Sequence, residues 1–484
     1  MIFELTGLAI IAVITGIPAL LATASVPFAV LSAPQERHGR IRRRYVAGGF
    51  FVSFFGVWMM AFGAWAARED TRYGIIDWAT ITLGTLAGGG LLVFGLGPFA
   101  SWSLEILGRY AERLPLPVRL AARDLAGRRA TTAPAITLTM MATAFGIALT
   151  IIAVGFTAQL RATYVPQARP GTLLVGHFPA EHAGTVRAAI QRELPGVPIT
   201  QSEIPAEDRS FDAHAENVYL TEESMYSSEV IGDETLLRYL TGDRSTPYDE
   251  GTAVVITAAD VKVDSVDLIG MGEPPKVKTI PAIVARTADP QMETIFVPTK
   301  VVRDLGYRLE PDELIVDPSL RRISAGEQER LDVRLDGVAD TYIERGYESS
   351  TGWMVVAAAA LLVALGCAWA AGGGPAASSR PGRVLRRAGG GSAATFRWFG
   401  ASRTGLSALC GTVLGAVAGC PIGMLLMWPL TAATSWDSPP RVSFETPWPA
   451  IAAVVVALPV LAAALGWLFA REPADRAPDP EKAP

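Results

Sequence analysis

Few residues of this sequence have the types and spacing that catalysis needs. The chain has four histidines, and His177 and His182 form the closest pair, at a spacing that puts them on different faces of a helix. The 484 residues contain no H-E-x-x-H pair, no G-x-S-x-G turn and no G-x-x-x-x-G-K-[ST] phosphate loop. The sequence therefore predicts no catalytic, metal-binding or cofactor-binding residues. A membrane-tethered enzyme stays an alternative, because catalytic triads are assembled in space.

A different pattern begins the stretch "FRWFGASRTGLSALCGTVLGAVAG", residues 396–419. Three aromatic rings and two arginines lie within its first eight residues, which are Phe396, Arg397, Trp398, Phe399, Gly400, Ala401, Ser402 and Arg403. These residue types fit a segment at the membrane surface, with rings at headgroup depth and arginines on anionic lipid.

Glycines recur at every fourth position in the apolar part of the same stretch, at Gly411, Gly415, Gly419 and Gly423. Residues four apart share one face of a helix, and a face of glycines lets another helix approach closely. The spacing predicts a packing seam. Whether the seam is static or slides during a working cycle is left open by the sequence.

The composition is that of a membrane protein. Half of the residues are hydrophobic, and the mean hydropathy is +0.30. A membrane-crossing helix needs about 20 apolar residues. Seven stretches meet this length, at residues 5–31, 46–66, 78–100, 135–158, 352–371, 406–430 and 449–469. Glu4 and the length of the first stretch argue against a cleaved signal peptide and favour a retained span.

Arginine positions predict the orientation of the spans, because basic residues of short loops stay on the cytoplasmic side. Arginines cluster after the first span, before the fourth span and before the sixth span. These loops are therefore expected in the cytoplasm, with the N-terminus outside and the C-terminus inside a cell membrane. The three cysteines, Cys367, Cys410 and Cys420, lie within predicted spans and indicate no disulfide framework.

One large water-soluble segment, residues 159–350, separates the fourth and fifth spans and is expected outside the cell. Residues 171–350 carry 17 Lys and Arg against 33 Asp and Glu. Such an acidic surface is either a solvated exterior or a docking face for a cationic ligand. Strands are predicted in 171–176, 252–269, 276–285, 293–298 and 313–318, and helices in 180–194, 298–306 and 327–346. The last helix is expected to continue directly into the fifth span as a rigid link.

The sequence thus predicts an α-helical polytopic membrane protein with about seven transmembrane helices and one α+β extracytoplasmic domain. The stretch "RLAARDLAGRRATTAPAITLTMMATAFGIALTIIAVGF" (residues 119–156), the exterior insert after it and "ATFRWFGASRTGLSALCGTVLGAVAG" before a final span are together similar to one family. They resemble the FtsX-like permeases, the membrane subunits of MacB- and LolC-type ABC transporters. The "GAS" at 400–402 matches a frequent pattern of that family, and the resemblance covers about residues 119–469.

The resemblance implies a division of the chain and a role for each part. Residues 1–118 would hold three spans with basic cytoplasmic loops, and 119–158 a surface amphipathic helix and the fourth span. Residues 159–350 would form the extracytoplasmic domain and 351–371 the fifth span. Residues 372–405 would form a cytoplasmic coupling segment that rests on a separate ATPase, with Phe396, Trp398 and Phe399 in a groove of that partner and Arg397 and Arg403 on its carboxylates. The last two spans would occupy 406–470, before a disordered tail at 471–484.

The function that the resemblance implies is mechanotransmission. A separate ABC ATPase subunit binds the ATP, and its closure moves the spans and the extracytoplasmic domain, which exports or extracts lipid, lipoprotein, peptide or antibiotic. The chain itself would not be an enzyme and would contact membrane lipids but no nucleic acid. An ATPase-independent receptor or scaffold that binds a ligand outside the cell is the alternative.

Two departures from the family pattern bear on this interpretation. Residues 370–391 are rich in Gly, Pro, Ser and Arg where many relatives keep a continuous helix with an acidic residue, so coupling is expected to be looser. The chain also has one four-span repeat where long relatives have two. A second permease chain or a homodimer is therefore expected, with a truncated start as the competing explanation.

Overall fold

The structure is a computed structural model that describes residues 43–68, 75–206, 211–216, 218, 229–270, 276–287, 292–372, 393–432 and 441–469. The predicted first span at 5–31, most of residues 372–392 and the tail at 471–484 lie outside these residues. The chain divides into two units. We call Tyr164–Glu348 the sheet domain, and the described residues before and after it the helical unit.

Helices account for most of the described chain. In order they are α1 Arg43–Ala66, α2 Ile75–Tyr110, α3 Leu116–Gly127, α4 Arg129–Ala162, α5 Ala183–Glu193, α6 Glu234–Thr241, α7 Thr299–Asp304, α8 Ala325–Leu335, α9 Gly352–Ala371, α10 Ala393–Leu430 and α11 Trp448–Leu468. By length and composition, six of these described helices could cross a membrane. They are α1, α2, α4, α9, α10 and α11. The structure is therefore compatible with membrane insertion.

Two boundaries in the helical unit differ from the sequence-based expectation. The sixth predicted span was expected from residue 406, but α10 begins at Ala393 and runs without interruption through the aromatic and basic run. The predicted surface helix is present as α3, and it ends where Arg128 leaves the helical conformation, with φ −109° and ψ 28°. The helix α10 continues through this run because the sequence after Phe396 contains no signal that ends a helix there.

The helices α1 and α2 meet through glycines spaced seven residues apart. A Cβ atom added to Gly49 would lie 2.6 Å from the carbonyl oxygen of Gly95, and one added to Gly56 would lie 2.6 Å from that of Gly88. Such distances are shorter than real Cβ contacts, so a side chain at either position would separate the backbones. The opposite face of α1 carries exposed aromatic rings, which are Phe50, Phe51, Phe54, Phe55, Trp58, Phe62 and Trp65.

The described part of the sheet domain contains one ten-stranded mixed sheet. Its strands are β1 Leu173–Gly176, β2 Thr200–Pro205, β3 Phe211–His214, β4 Glu229–Gly232, β5 Ala253–Thr257, β6 Ser265–Gly270, β7 Lys276–Arg286, β8 Thr294–Pro298, β9 Leu309–Val316 and β10 Asp340–Ile343. The strand order is β10-β1-β9-β2-β4-β8-β5-β7-β6-β3. The pairs β4/β8 and β5/β7 are parallel, and the other neighbouring pairs are antiparallel.

Both faces of the sheet bury apolar side chains, because neighbouring strand residues point to opposite sides. Leu173 of β1 and Leu314 of β9 pack with residues of α5 and α8. Leu174 and Ile315, the next residues along, pack with residues of α6. A near-continuous run of apolar residues in these strands is therefore explained by helices on both sides.

The predicted helix over 327–346 is wrong in its second half. The helix α8 ends at Leu335, and Gly337 has a φ of +73°, a left-handed conformation that glycine adopts without strain. Residues 340–343 then form β10, which pairs antiparallel with β1 in the register Leu173↔Ile343. No continuous helix therefore runs from this region into α9. Strands β2, β3, β4 and β10 and helix α6 were also not predicted, and the predicted strand at 252–269 is two strands, β5 and β6.

The first turn of α8 offers a test of this local structure. The Ser324 hydroxyl accepts a hydrogen bond from the backbone N–H of Glu327, and the Glu327 carboxylate accepts one from the backbone N–H of Ser324. The Ser324 backbone N–H, followed by the Ser324 hydroxyl, which also donates to the carboxylate at 2.8 Å, lowers the pKa of Glu327 from 4.5 to about 2. We expect Ser324→Ala to lower the unfolding free energy by about 1 kcal/mol at neutral pH. Thermal unfolding followed by circular dichroism measures the change.

The pH dependence of this contribution has a definite sign. Because the folded-state pKa of Glu327 is depressed, the stabilisation is complete above 4.5 and is lost as the pH falls through about 2. Ser324→Ala removes the hydroxyl donor and keeps the N–H donor, so the difference between the wild-type chain and the variant should shrink in that range by the hydroxyl's share. An equal difference at pH 7 and pH 2 would contradict the assignment of the cap.

Candidate functional site

The run Phe396–Arg403 occupies the first turns of α10, and its aromatic side chains point in different directions. The Phe396 and Phe399 rings are 8% and 9% exposed and pack with Ala121 of α3. The Trp398 side chain is 62% exposed. The two phenylalanines therefore attach α10 to α3, and Trp398 is the ring of the three that faces away from the chain.

Arg403 also points into the helical unit. Its Nε atom lies 3.1 Å from Oδ2 of Asp124 in α3, and both side chains are largely buried, at 6% and 13% exposed. The second carboxylate oxygen of Asp124 lies 3.2 Å from Nε of Arg128. The N–H of Arg403 is not aligned with Oδ2 as in a hydrogen bond, so charge attraction holds this pair. The low dielectric around the two side chains strengthens that attraction.

The other members of the run pack the start of α10 against α11. The Arg397 guanidinium lies 5.0 Å from the centre of the Trp467 ring, a cation–π contact. A Cβ atom on Gly466 would lie 2.6 Å from the carbonyl oxygen of Gly400, so α11 needs glycine where it touches α10. Ala401 is buried, and the Ser402 hydroxyl donates to the carbonyl oxygen of Trp398.

The structure therefore corrects part of the sequence-based assignment. Phe396, Phe399 and Arg403 were expected to face an ATPase partner, but they are buried within the chain because α3 supplies Ala121 and Asp124 as their partners. Trp398 and Arg397 are the members of the run that remain exposed. The helical periodicity of α10 could have separated the two groups, since Phe396, Phe399 and Arg403 are three and four residues apart.

The four predicted glycines lie along the contact between α10 and α4. A Cβ atom on Gly411 would lie 2.7 Å from Cβ of Thr139, and one on Gly423 would lie 2.8 Å from Cβ of Ile151. The two layers between them pair Gly415 with Thr143 and Gly419 with Ile147. Residue numbers increase together on both sides, so α4 and α10 run parallel. From Gly411 to Gly423 the contact extends over 12 residue steps, about 18 Å at 1.5 Å per step.

The next layer of the same contact reverses the roles of the two helices. Gly155 of α4 lies opposite Met427 of α10, and an added Cβ atom would be 2.7 Å from the Met427 methyl group. The large residue is here on α10 and the glycine on α4, so a shift of one helix by a turn would place Met427 against Ile151. The predicted seam did not include Gly155 and Met427, although Met427 continues the four-residue spacing of the glycines.

Hydroxyl groups attach α9 to both helices of this seam. The Ser407 hydroxyl of α10 donates to the carbonyl oxygen of Ala368 at 3.0 Å. The Thr139 hydroxyl of α4 lies 3.4 Å from the carbonyl oxygen of Ala364. Interhelical hydrogen bonds of this kind stabilise helix contacts in an apolar environment. The helices α4, α9 and α10 therefore form one connected group.

Polar side chains also bind the C-terminal ends of α1 and α10. The Arg441 guanidinium donates to the carbonyl oxygens of Ala67 and Trp428, which lie at the C-terminal ends of α1 and α10. The Trp78 indole N–H donates to the carbonyl oxygen of Pro429 at 2.8 Å. Carbonyls at helix ends lack partners in their own helix, so these donors satisfy them and hold the ends together.

The histidines considered for metal binding lie in the sheet domain. His177 lies 3.6 Å from Asp340, and both side chains are exposed. Across the described ranges, no three His, Cys, Asp or Glu side chains come together as a metal site. The cysteines Cys367, Cys410 and Cys420 are free thiols. The most organised candidate site in the described chain is therefore the N-terminal part of α10 with α3.

No family model and no curated protein matches the chain. The resemblance to FtsX-like permeases therefore stays a prediction that rests on the residues quoted above.

The seam between α4 and α10 predicts a strong effect of a small substitution. In Gly415→Ala, the added methyl group would lie 2.8 Å from the backbone oxygen of Met140, so α4 must move away. We expect a loss of about 1–3 kcal/mol of unfolding free energy, as in other overpacked contacts. Gly366→Ala on α9 is the matched control, because nothing lies within 4 Å of its added methyl group. Thermal unfolding in detergent compares the two, and equal melting temperatures would contradict the seam.

The pair between Asp124 and Arg403 predicts a second, electrostatic effect. Asp124→Asn leaves the Arg403 charge buried without its carboxylate, which costs about 3–5 kcal/mol in other buried pairs. Glu112→Gln is the control, because it breaks an exposed pair with Arg123 and should cost less than about 1 kcal/mol. Chemical unfolding of both variants in detergent measures the difference. Similar small losses would show that charge does not hold α3 to α10.

Proposed function

We propose that this chain is the permease subunit of an ABC transporter of the FtsX-like type, and that a separate ATPase subunit docks on the N-terminal part of α10. The observation that carries the proposal is the position of Trp398. Its ring is 62% exposed at the start of a helix whose other aromatic and basic residues attach it to α3. An exposed aromatic anchor on a fixed support is typical of an interface hot spot.

The contacts of α10 suggest how a displacement at Trp398 would be transmitted to other helices. The helix α10 is continuous from Ala393 to Leu430 and lies against α4 through the layers from Gly411 to Met427. The sequence enters the sheet domain directly after α4, at Tyr164. Because the side chains between the two backbones in the glycine layers are β-branched and stiff, displacement of α10 should move α4 with it. This supports mechanotransmission from an ATPase to the sheet domain.

The docking surface has a definite chemistry. Trp398 would insert into an apolar groove of the ATPase, and the exposed Arg397 beside it would pair with a carboxylate at the rim. Phe396, Phe399 and Arg403 would act indirectly, by holding Trp398 in place. Exposed arginines of α3, such as Arg123, would lie on anionic lipid headgroups of the inner membrane surface.

The arginine pattern orients the proposed transporter in a cell membrane. The N-terminal part of α10 and α3 would lie in the cytoplasm, with the sheet domain outside. The ATP would be bound by the partner subunit. Two permease chains would work together, either as a homodimer or with a second permease. Lipid, lipoprotein, peptide or antibiotic would be the cargo.

The test is capture of an ATPase by the tagged chain from native membranes, with the captured subunit identified by its P-loop and ABC signature. We expect Trp398→Ala to weaken capture about 30-fold, since hot-spot residues contribute about 2 kcal/mol or more. Trp65→Ala is the control, because Trp65 is 57% exposed on α1 and outside the proposed surface. Both variants should keep the melting temperature of the wild-type chain.

Three outcomes separate the candidates. Loss of the ATPase in Trp398→Ala alone supports the proposal. Equal capture by all variants, or capture of no ATP-binding subunit, contradicts it and favours a receptor or scaffold that works without ATP. Catalytic turnover by the full chain without any ATPase would instead favour the membrane-tethered enzyme.

A further inference from the structure

A fully buried carboxylate lies where the sheet domain begins and ends. Glu344 is 0% exposed, one residue after β10. Its Oε1 atom accepts hydrogen bonds from the Tyr164 hydroxyl at 2.6 Å and from the Gly346 backbone N–H at 2.6 Å. Its Oε2 atom accepts from the Gln167 backbone N–H at 2.9 Å and from the Tyr342 hydroxyl at 3.3 Å. A buried carboxylate needs several such donors, because it has lost its water.

The same residue also joins the two segments through its backbone. The Gly171 N–H donates to the Glu344 carbonyl oxygen at 2.6 Å, and the Glu344 N–H donates to the Thr172 carbonyl oxygen at 3.0 Å. The rings of Tyr164 and Tyr347 pack edge to face, with centres 5.8 Å apart. We call residues 164–172 the incoming segment and 342–347 the outgoing segment. The two are thus linked by one side chain, one pair of backbone bonds and one ring contact.

The tyrosine hydroxyl beside Glu344 is held as a donor. Burial, followed by the hydrogen bond to Glu344, raises the pKa of Tyr164 above its usual value. Tyr164 therefore stays protonated at any physiological pH and continues to donate to the carboxylate. The linkage does not depend on a mobile cation, since its described donors are two hydroxyls and two backbone N–H groups.

The incoming and outgoing segments are close in sequence to α4 and α9. Tyr164 follows the last residue of α4, Ala162, by two positions, and Tyr347 precedes the first residue of α9, Gly352, by five. The linker 344–351 contains no helix or strand. The covalent connections of α4 and α9 to the sheet domain therefore run through the incoming and outgoing segments. If the incoming and outgoing segments were not linked, each could move independently, and a displacement of α4 or α9 would bend one segment instead of moving the sheet domain.

We propose that Glu344 is a clamp that makes both covalent connections of the sheet domain move as one body. Its carboxylate is a positioning group, which acts by fixing Tyr164, Gln167 and Gly346 against one another. The inference deepens the proposed function and rests on it for its mechanical purpose, but the existence of the clamp can be tested without any ATPase.

The chain offers a matched control for the clamp residue. Glu293 is also a buried carboxylate, at 6% exposed, and its Oε1 atom accepts from the Thr257 hydroxyl at 2.9 Å and the Ala258 N–H at 3.0 Å. It lies at β8, away from both ends of the domain. Glu293→Gln should therefore reproduce the loss of a buried carboxylate without opening the clamp.

The experiment uses the full chain in lipid nanodiscs with Cys367, Cys410 and Cys420 replaced by alanine. Spin labels at Val333, which is 76% exposed on α8, and at the exposed Glu112 report the spread of distances between the two units. Hydrogen exchange reports the amides of 164–172 and 342–348. Each readout is compared among the wild-type chain, Glu344→Gln, Glu293→Gln and the double variant Tyr164→Phe/Tyr342→Phe.

Glu344→Gln should speed exchange in both segments by about tenfold or more, as expected for loss of hydrogen bonds to a charged acceptor. It should also broaden the distance distribution, whereas Glu293→Gln should not. The tyrosine double variant keeps the carboxylate and removes only two hydroxyl donors, so it should give a smaller change of the same kind even if Glu344→Gln folds poorly. Equal distributions in Glu344→Gln and Glu293→Gln, with the tyrosine variant unchanged, would overturn the clamp.

The result also separates the clamp from the proposed function. If Glu344→Gln broadens the distance distribution and the chain captures no ATPase, the transporter proposal alone is refuted. Normal capture of an ATPase with an unchanged distance distribution in Glu344→Gln would refute the clamp alone.

Discussion

Close backbone contact between α4 and α10 is the constraint on which the helical unit depends. At its four contact glycines between Gly411 and Gly423, α10 has no side chain, so Thr139, Thr143, Ile147 and Ile151 of α4 lie directly on its backbone. Lipid tails are as apolar as leucine, so helices in a membrane gain little from burying large apolar residues and more from close packing. The layer of Gly155 and Met427 reverses the pattern and makes one register better than its neighbours. In the four glycine layers the side chains between the two backbones are threonine and isoleucine, which are stiff, so the seam is suited to the proposed transmission of displacement.

Different interactions hold the two ends of this seam. At its N-terminal end, α10 is attached to α3 by two phenylalanine rings and by the buried pair of Asp124 and Arg403. Beyond Met427, Arg441 and Trp78 bind the last carbonyls of α1 and α10. Removing one partner of a buried charged contact leaves an unsatisfied group, so these contacts determine position as much as they contribute stability. The exposed Trp398 is therefore carried on a helix that is fixed on several sides, as a docking anchor requires.

The sheet domain has its own core, and hydrogen bonds join its first and last segments. Its strands are apolar on both sides, and helices on both faces cover them, so the domain has its own core. A rigid helix from this domain into α9 would have been one way to link it to the helical unit. The chain instead ends α8 at Leu335 and uses β10 to bring the outgoing segment beside the incoming one, where Glu344 joins them. The linkage is made by hydrogen bonds between distant parts of the sequence rather than by local helix propensity.

The sequence alone determined what depends on composition and local period. The apolar lengths identified the six described candidate spans, and the four-residue glycine spacing picked out the face of α10 that packs on α4. Charge and β-branched content separated the sheet domain from the helices and located β1, β7, β8 and β9. Only the tertiary structure decided which neighbours those features meet. It placed Phe396, Phe399 and Arg403 against α3 and left Trp398 exposed, because Ala121 and Asp124 are more than 270 residues away in the sequence. It also made residues 340–343 a strand, since the hydrogen bonds to β1 outweigh a local helical pattern that does not encode its distant partner.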